Sequence, residues 1–220
     1  MIRGFFVTGT DTGVGKTVVS AALMVRLGRS RSMCYWKPIQ TGIEQDDDTA
    51  QVKRLASLDE WQVMRDGVRL EHPLSPHLSA RLSGCTIAIE PLMKLAREQT
   101  EESRWIVEGA GGVLVPLNDE TLMIDFIHAL ALPAVVVARS GLGTINHTLL
   151  TLSELRRRAI TVAAVVMVGE PHIENRRAIE QYGEVKVLGE IPLLHPLTPE
   201  TLCAAARSLD PDRHLERMLS

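Results

Sequence analysis

Between the apolar run Phe5-Phe6-Val7 and the helix-forming run Val18-Val19-Ser20-Ala21-Ala22-Leu23-Met24 lies the segment Gly9-Thr-Asp-Thr-Gly-Val-Gly-Lys-Thr17. A glycine-rich loop that leaves a strand and enters a helix is the context of a phosphate cradle. Glycines 9, 13 and 15 allow backbone angles closed to other residues and let amide N–H groups approach phosphate oxygens. The start of the next helix adds unsatisfied donors and partial positive charge. In that arrangement Lys16 reaches the β- and γ-phosphates of a nucleoside triphosphate, and the Thr17 hydroxyl is a ligand for Mg²⁺. Gly13, Val14, Gly15, Lys16, Thr17 and Val18 are therefore the expected phosphate contacts. The spacing is unusual: five residues separate Gly9 from Gly15, so Thr10 stands where the common motif has its first glycine.

The rest of the chain fits the fold this loop needs. Short β-branched runs recur at residues 4–8, 33–37, 105–108, 134–138, 162–168 and 185–191. Most are continuous rather than alternating, as in strands buried on both faces of a parallel sheet. Helical spacing is expected at 17–27, 49–57, 90–99, 124–130, 144–158, 174–182 and 199–209, with Arg156, Arg157 and Arg158 at the end of one helix where its dipole favours positive charge. Alternating strands and helices imply an α/β fold: a parallel sheet covered by helices on both faces, of the P-loop NTPase type. No linker or repeat interrupts residues 1–220, which are expected to form one domain.

Composition removes some alternatives. Hydrophobic residues make up 45% of the 220 and charged residues 23%, with a formal charge of −3. That balance points to neither a nucleic-acid nor an anionic-membrane partner. Cys34, Cys85 and Cys203 are scattered, in no metal-ligand spacing, as expected of reduced thiols in the cytoplasm. No apolar run approaches the roughly 18 residues of a membrane span.

A second candidate follows Trp105-Ile106-Val107. Glu108 ends that run before Gly109-Ala110-Gly111-Gly112. An acid at the carboxyl end of a parallel strand lies on the edge where open α/β sheets bind ligands, and carboxylate oxygens suit Mg²⁺. Lys37 ends another apolar run and faces the same edge. A guanine-reading Asn-Lys-x-Asp is absent, which argues against a GTPase. Thr10 stands where a partitioning-type ATPase carries an extra lysine.

Taken together, the motifs resemble the dethiobiotin synthetase family. They comprise residues 7–17, Tyr35-Trp-Lys-Pro-Ile-Gln-Thr-Gly42, Asp48, Pro73-Leu-Ser-Pro-His77, Val107-Glu-Gly-Ala-Gly-Gly112, Leu142-Gly-Thr-Ile-Asn-His147 and Leu188-Gly-Glu-Ile-Pro192. They run in order across about residues 1–195, and the extended loop spacing belongs to this family.

The resemblance implies ATP- and Mg²⁺-dependent closure of a ureido ring on 7,8-diaminononanoate with CO₂. A carbamate forms, then a carbamic–phosphoric anhydride, and ADP and phosphate are released. Lys37 and Lys16 are implied as catalytic, Lys37 toward the carbamate and the transferred phosphoryl group. Thr17, Asp48 and Glu108 are implied as the metal set, with Asp48 expected at the N-cap of the helix that follows. Gly109, Ala110, Gly111 and Gly112 offer amides to phosphates or carbamate, and Thr41 contacts the substrate. Leu142, Gly143 and Asn146 correspond to residues that a partner subunit contributes in the family, which implies a homodimer. Val168 and Gly169 stand where many members have a base-reading asparagine, and Pro192, Leu193 and Leu194 border the base.

Overall fold

Phe5, Phe6 and Val7 send side chains alternately to the two faces of a sheet, and both faces are covered. Phe6 packs in one buried cluster and Phe5 and Val7 in another. The computed structural model describes residues 2–28, 32–100 and 102–219. In chain order the elements are β1 (Arg3–Gly9), α1 (Lys16–Leu27), β2 (Met33–Trp36), β3 (Ile39–Thr41), α2 (Asp48–Ala56), β4 (Val63–Met64), β5 (Val68–Leu70), α3 (Pro76–Leu82), α4 (Ile89–Arg97) and β6 (Arg104–Gly112). The chain continues through α5 (Met123–Leu130), β7 (Ala134–Arg139), α6 (Thr144–Arg157), β8 (Val162–Val168), α7 (Ile173–Gly183), β9 (Val187–Ile191), α8 (Pro199–Ser208) and α9 (His214–Met218).

Seven strands form one sheet in the order β4-β2-β6-β1-β7-β8-β9, and every pairing in it is parallel. Helices α1, α2, α8 and α9 cover one face through Val19, Leu23, Val52, Leu55, Leu202 and Leu215. On the other face, Leu92, Phe126, Leu152, Leu155 and Ile179 pack from α4 to α7. Phe126 sits edge-on to Phe6 and Trp36, with ring centroids 6.2 and 6.3 Å away. Burial on both faces is why these strands read as unbroken apolar runs.

β1 lies between β6 and β7, so the phosphate loop leaves the middle of the sheet at its carboxyl edge. There it faces the end of β6 and the residue just past β2. Three strands are too short for a periodic signal: β4 in the main sheet, and β3 and β5, which pair parallel in a small second sheet. β6 runs further than its apolar core suggests. Gly112 still pairs with Gly9, so the glycine segment continues the strand instead of forming a turn.

Gly4 carries φ +149°, and a Cβ there would meet the Trp105 carbonyl oxygen at 1.9 Å. Replacing Gly4 by Ala therefore strains the β1–β6 pairing beneath the site. We expect Gly4→Ala to lower the unfolding free energy by about 2–3 kcal/mol in urea titrations.

Candidate active site

Gly15 caps α1 in a left-handed conformation, φ 96°, and Lys16 and Thr17 open the helix. A side chain at position 15 would be strained in that conformation and would meet Val168 at 3.1 Å. Thr10 N–H donates to the Val137 carbonyl, and Arg139 reaches the Thr12 carbonyl at 3.2 Å. The loop is thus tied to β7 as well as to its own strand.

Four side chains from separate parts of the chain converge beside it. Thr17 Oγ1 lies 2.7 Å from Asp48 Oδ1 and 3.1 Å from Glu108 Oε1. Lys37 Nζ lies 2.7 Å from that same Glu108 oxygen and 2.6 Å from Asp48 Oδ2. Glu108 is fully buried and Lys37 almost so. Two opposite charges buried together in this way offset the loss of water that either alone would suffer.

Asp48 reaches this cluster because it is not the cap of its helix. The N-cap is Asp47, whose carboxylate accepts the Ala50 N–H, and Asp48 is the first helical residue. The expected cap thus moves back by one residue. This leaves the Asp48 carboxylate to point at Thr17 and Lys37. Gln40, buried in β3, donates to the Asp46 carbonyl at 2.6 Å and holds the acidic loop against the site.

The electrostatics follow from burial and neighbours. Burial pulls the Lys16 ammonium down, the nearby Lys37 charge pulls it further, and its pKa falls to about 8. For Lys37 burial also pulls downward, but Glu108 and Asp48 outweigh it and hold its pKa above the ordinary lysine value. Burial would raise Asp48, yet Lys37 keeps it below the usual carboxylate range. Burial and the Glu108 charge push the buried Tyr35 phenol well above its usual value.

A cavity of about 840 Å³ opens on this cluster. Its walls include Gly13, Gly15, Lys16, Thr17, Val18, Lys37, Thr41, Asp48, Glu108, Ala110 and Gly111. The chain between β5 and α3 closes it with Pro73, Leu74, Ser75 and Pro76. A second pocket of about 470 Å³ adjoins it across Gly13, Gly15 and Val18. Val14, Val168, Gly169, Pro192, Leu193 and Leu194 line this second space, together with Arg139, Ser140 and His195.

Other expected residues lie elsewhere. Gly109 lines neither space, although its carbonyl accepts from Lys37 Nζ at 3.4 Å, and the ring of Phe6 stands 2.8 Å from where its Cβ would be. Gly112 is likewise outside both pockets. Leu142, Gly143 and Asn146 are exposed around the start of α6 and also line neither. Among residues not singled out from sequence, Gln45, Asp46, Gln51 and Val115 face the main cavity. The one with a detectable signal is Arg139, which ends an apolar run at the ligand-binding edge.

The donor set suits a hard divalent cation. Thr17, Asp48 and Glu108 supply oxygen alone, the preference of Mg²⁺. Among the described residues no group of three or more His, Cys, Asp or Glu is placed to hold a metal. A cation here would rely on the hydroxyl, nucleotide oxygens and water to complete its shell, as Mg²⁺ commonly does.

A phosphate loop at the middle of a parallel sheet, with a carboxylate buried in the adjacent strand beside it, defines a P-loop nucleotide-binding protein. The AAA domain family model AAA_26 matches residues 3–201. The chain is 47% identical over 196 residues to the ATP-dependent dethiobiotin synthetase BioD of Brucella ovis, covering 89% of each chain. It is 44% identical over 205 residues to the enzyme of that name from Bradyrhizobium diazoefficiens, covering 93% of this chain and 94% of the other. It belongs to the dethiobiotin synthetase family. Among solved structures, MinD of Pyrococcus horikoshii, a septum site-determining protein complexed with Mg-ADP, matches with TM-score 0.62 at 15% identity, covering 99% of this chain and 96% of that one. The cell division ATPase MinD of Pyrococcus furiosus matches with TM-score 0.62 at 18% identity, covering 99% and 100%. At such identities these likenesses concern the fold alone.

The lowered Lys16 pKa has a measurable consequence. Without nucleotide, the folded chain binds fewer protons than the unfolded chain between about pH 8 and 10.5. Stability from this group therefore rises with pH across that window. Phosphate oxygens favour the ammonium, so nucleotide binding at pH 9 should take up about one proton. Calorimetry in buffers of different ionisation enthalpy measures this, and binding heats independent of buffer would contradict it.

Proposed function

We propose that the chain catalyses the ATP-dependent closure of 7,8-diaminononanoate with CO₂ to dethiobiotin, in biotin biosynthesis. The observation that carries this reading is the 47% identity to a named dethiobiotin synthetase across 89% of both chains. It is supported by the Lys37, Asp48, Glu108 and Thr17 cluster beside the phosphate loop.

One amine of the substrate takes up CO₂, losing a proton, and becomes a carbamate. A carbamate oxygen attacks the γ-phosphorus, ADP leaves, and a carbamic–phosphoric anhydride forms. The second amine attacks the anhydride carbonyl carbon, the C–O bond to phosphate breaks, and the five-membered ring closes.

Both partners in the second step are anionic, so the work of the site is positioning and charge compensation. Lys16 follows the phosphates from the loop. Lys37 lines the same cavity, where it meets the carbamate and the phosphoryl group in transfer. Lys37 is paired with Asp48 and Glu108, whereas the Lys16 ammonium donates to the Asp11 carbonyl in the loop. A triphosphate adds a surplus of negative charge, which Mg²⁺ on Thr17, Asp48 and Glu108 offsets. The metal supplies charge neutralisation on the phosphate oxygens.

Thr41 presents its hydroxyl to the amine or carbamate. The nucleoside lies in the adjoining pocket, because that space continues from the loop on the side away from Lys37. There Val168, Gly169, Pro192, Leu193 and Leu194 hold the base by contact.

The reaction is assigned to one domain over residues 1–220 that works as a homodimer in the cytoplasm. Leu142 is fully exposed and Leu150 is 62% exposed on α6, an apolar face suited to a second copy. Gly143 and Asn146 on that face then serve the partner's substrate site. Among the described residues no helix is long and apolar enough to cross a membrane. A nucleotide-switched partitioning ATPase shares the fold, but Thr10 occupies the position of that group's extra loop lysine.

Incubation with the diamine, bicarbonate and MgATP should yield dethiobiotin, ADP and phosphate in equal amounts. ATP hydrolysis indifferent to the diamine, with no ring product, would refute the reading. Lys37→Ala should lower turnover by about a hundredfold while nucleotide affinity is largely retained. It should also cost about 3 kcal/mol of stability, because two carboxylates lose their buried partner. Rates are therefore compared below its lowered unfolding midpoint.

A further inference from the structure

Tyr35 is a buried polar group beside the site that the proposed mechanism leaves unused. It lies in β2, two residues before Lys37, and is fully buried. Its hydroxyl donates to Glu108 Oε2 at 2.9 Å. The other Glu108 oxygen, Oε1, meets Thr17 and Lys37. The carboxylate is thus held from both ends: one oxygen turned into the site, the other tied back to the neighbouring strand.

Glu108 sits at register with Val7 on one side, and Tyr35 pairs with Ile106 on the other. The phenol therefore reaches the carboxylate along the sheet, from a strand whose position is set by the same ladder. Nothing else in the structure hydrogen-bonds Glu108 Oε2 among the contacts of the described residues. With the phenol removed, that oxygen is buried without a donor, and the carboxylate is free to rotate about its last bond.

We propose that Tyr35 is a positioning residue that fixes the plane of the Glu108 carboxylate and so sets the affinity of the site for its divalent cation. This rests on the reading of Thr17, Asp48 and Glu108 as the metal set. Groups that hydrogen-bond a ligating carboxylate orient it, and their loss commonly costs about 10- to 100-fold in metal affinity. Tyr35 lines neither pocket, and its hydroxyl reaches the site through Glu108.

The test is binding of Mn²⁺ to the ADP-loaded protein, followed by electron paramagnetic resonance. Tyr35→Phe should raise the Mn²⁺ dissociation constant about tenfold, leaving ADP affinity in chelator unchanged. Trp36→Phe, which removes a buried donor on the same strand whose indole N–H bonds the Asp66 carbonyl, should leave Mn²⁺ affinity as in the native chain. Glu108→Gln separates the two levels of the argument. If it weakens Mn²⁺ and Tyr35→Phe does not, the positioning role is wrong. If neither weakens Mn²⁺, the metal-site reading itself fails.

A spectroscopic readout covers the case in which Tyr35→Phe does not fold. The chain has two tyrosines, and Tyr182 is 69% exposed. In Tyr182→Phe protein, Mg²⁺ added to the ADP complex should shift the phenol C–O stretch of Tyr35 in infrared difference spectra. An unshifted band would overturn the proposal.

Discussion

The ion pair of Lys37 with Glu108 and Asp48 is the interaction around which the site is organised. An ammonium and a carboxylate taken out of water are each costly, and neither would stay charged alone at that depth. Glu108 and Asp48 hold the Lys37 ammonium charged in a place that water barely reaches, with the Thr17 hydroxyl and Tyr35 phenol alongside. The arrangement joins the loop, the end of β6, the residue past β2 and the start of α2. Lys37 serves both carboxylates, so moving it away would leave Glu108 buried without its cation.

That charge cluster also gathers groups of both signs at one edge of the sheet. Lys37 is paired with both carboxylates, and Lys16 lies close enough for the Lys37 charge to lower its pKa.

The parallel sheet supplies the geometry. With β1 between β6 and β7, the phosphate loop, Glu108 and Arg139 all emerge on one edge, and Lys37 follows from the strand beyond β6. The glycines have distinct reasons within this frame. Gly15 gives α1 its left-handed entry and makes room for Val168, whereas Gly109 makes room for the ring of Phe6 inside the core. Two glycines near the same ligand edge thus answer to different constraints.

From residues alone, the loop, the parallel α/β sheet and the family were legible, and so was the prominence of Lys16, Thr17, Lys37 and Glu108, which line one cavity. These depend on local chemistry: glycine backbone freedom, unbroken apolar runs, and a charged residue at the end of such a run. The cap at Asp47, the extension of β6 to Gly112, the strands β3, β4 and β5, and the tie from Tyr35 to Glu108 were not. Each is decided by a contact across the sheet or between distant loops. Asp47 and Asp48 are equally good caps in isolation, and only the position of Lys37 and Thr17 selects which one turns inward. A tyrosine in an apolar strand reads as core until the neighbouring strand places a carboxylate opposite its hydroxyl.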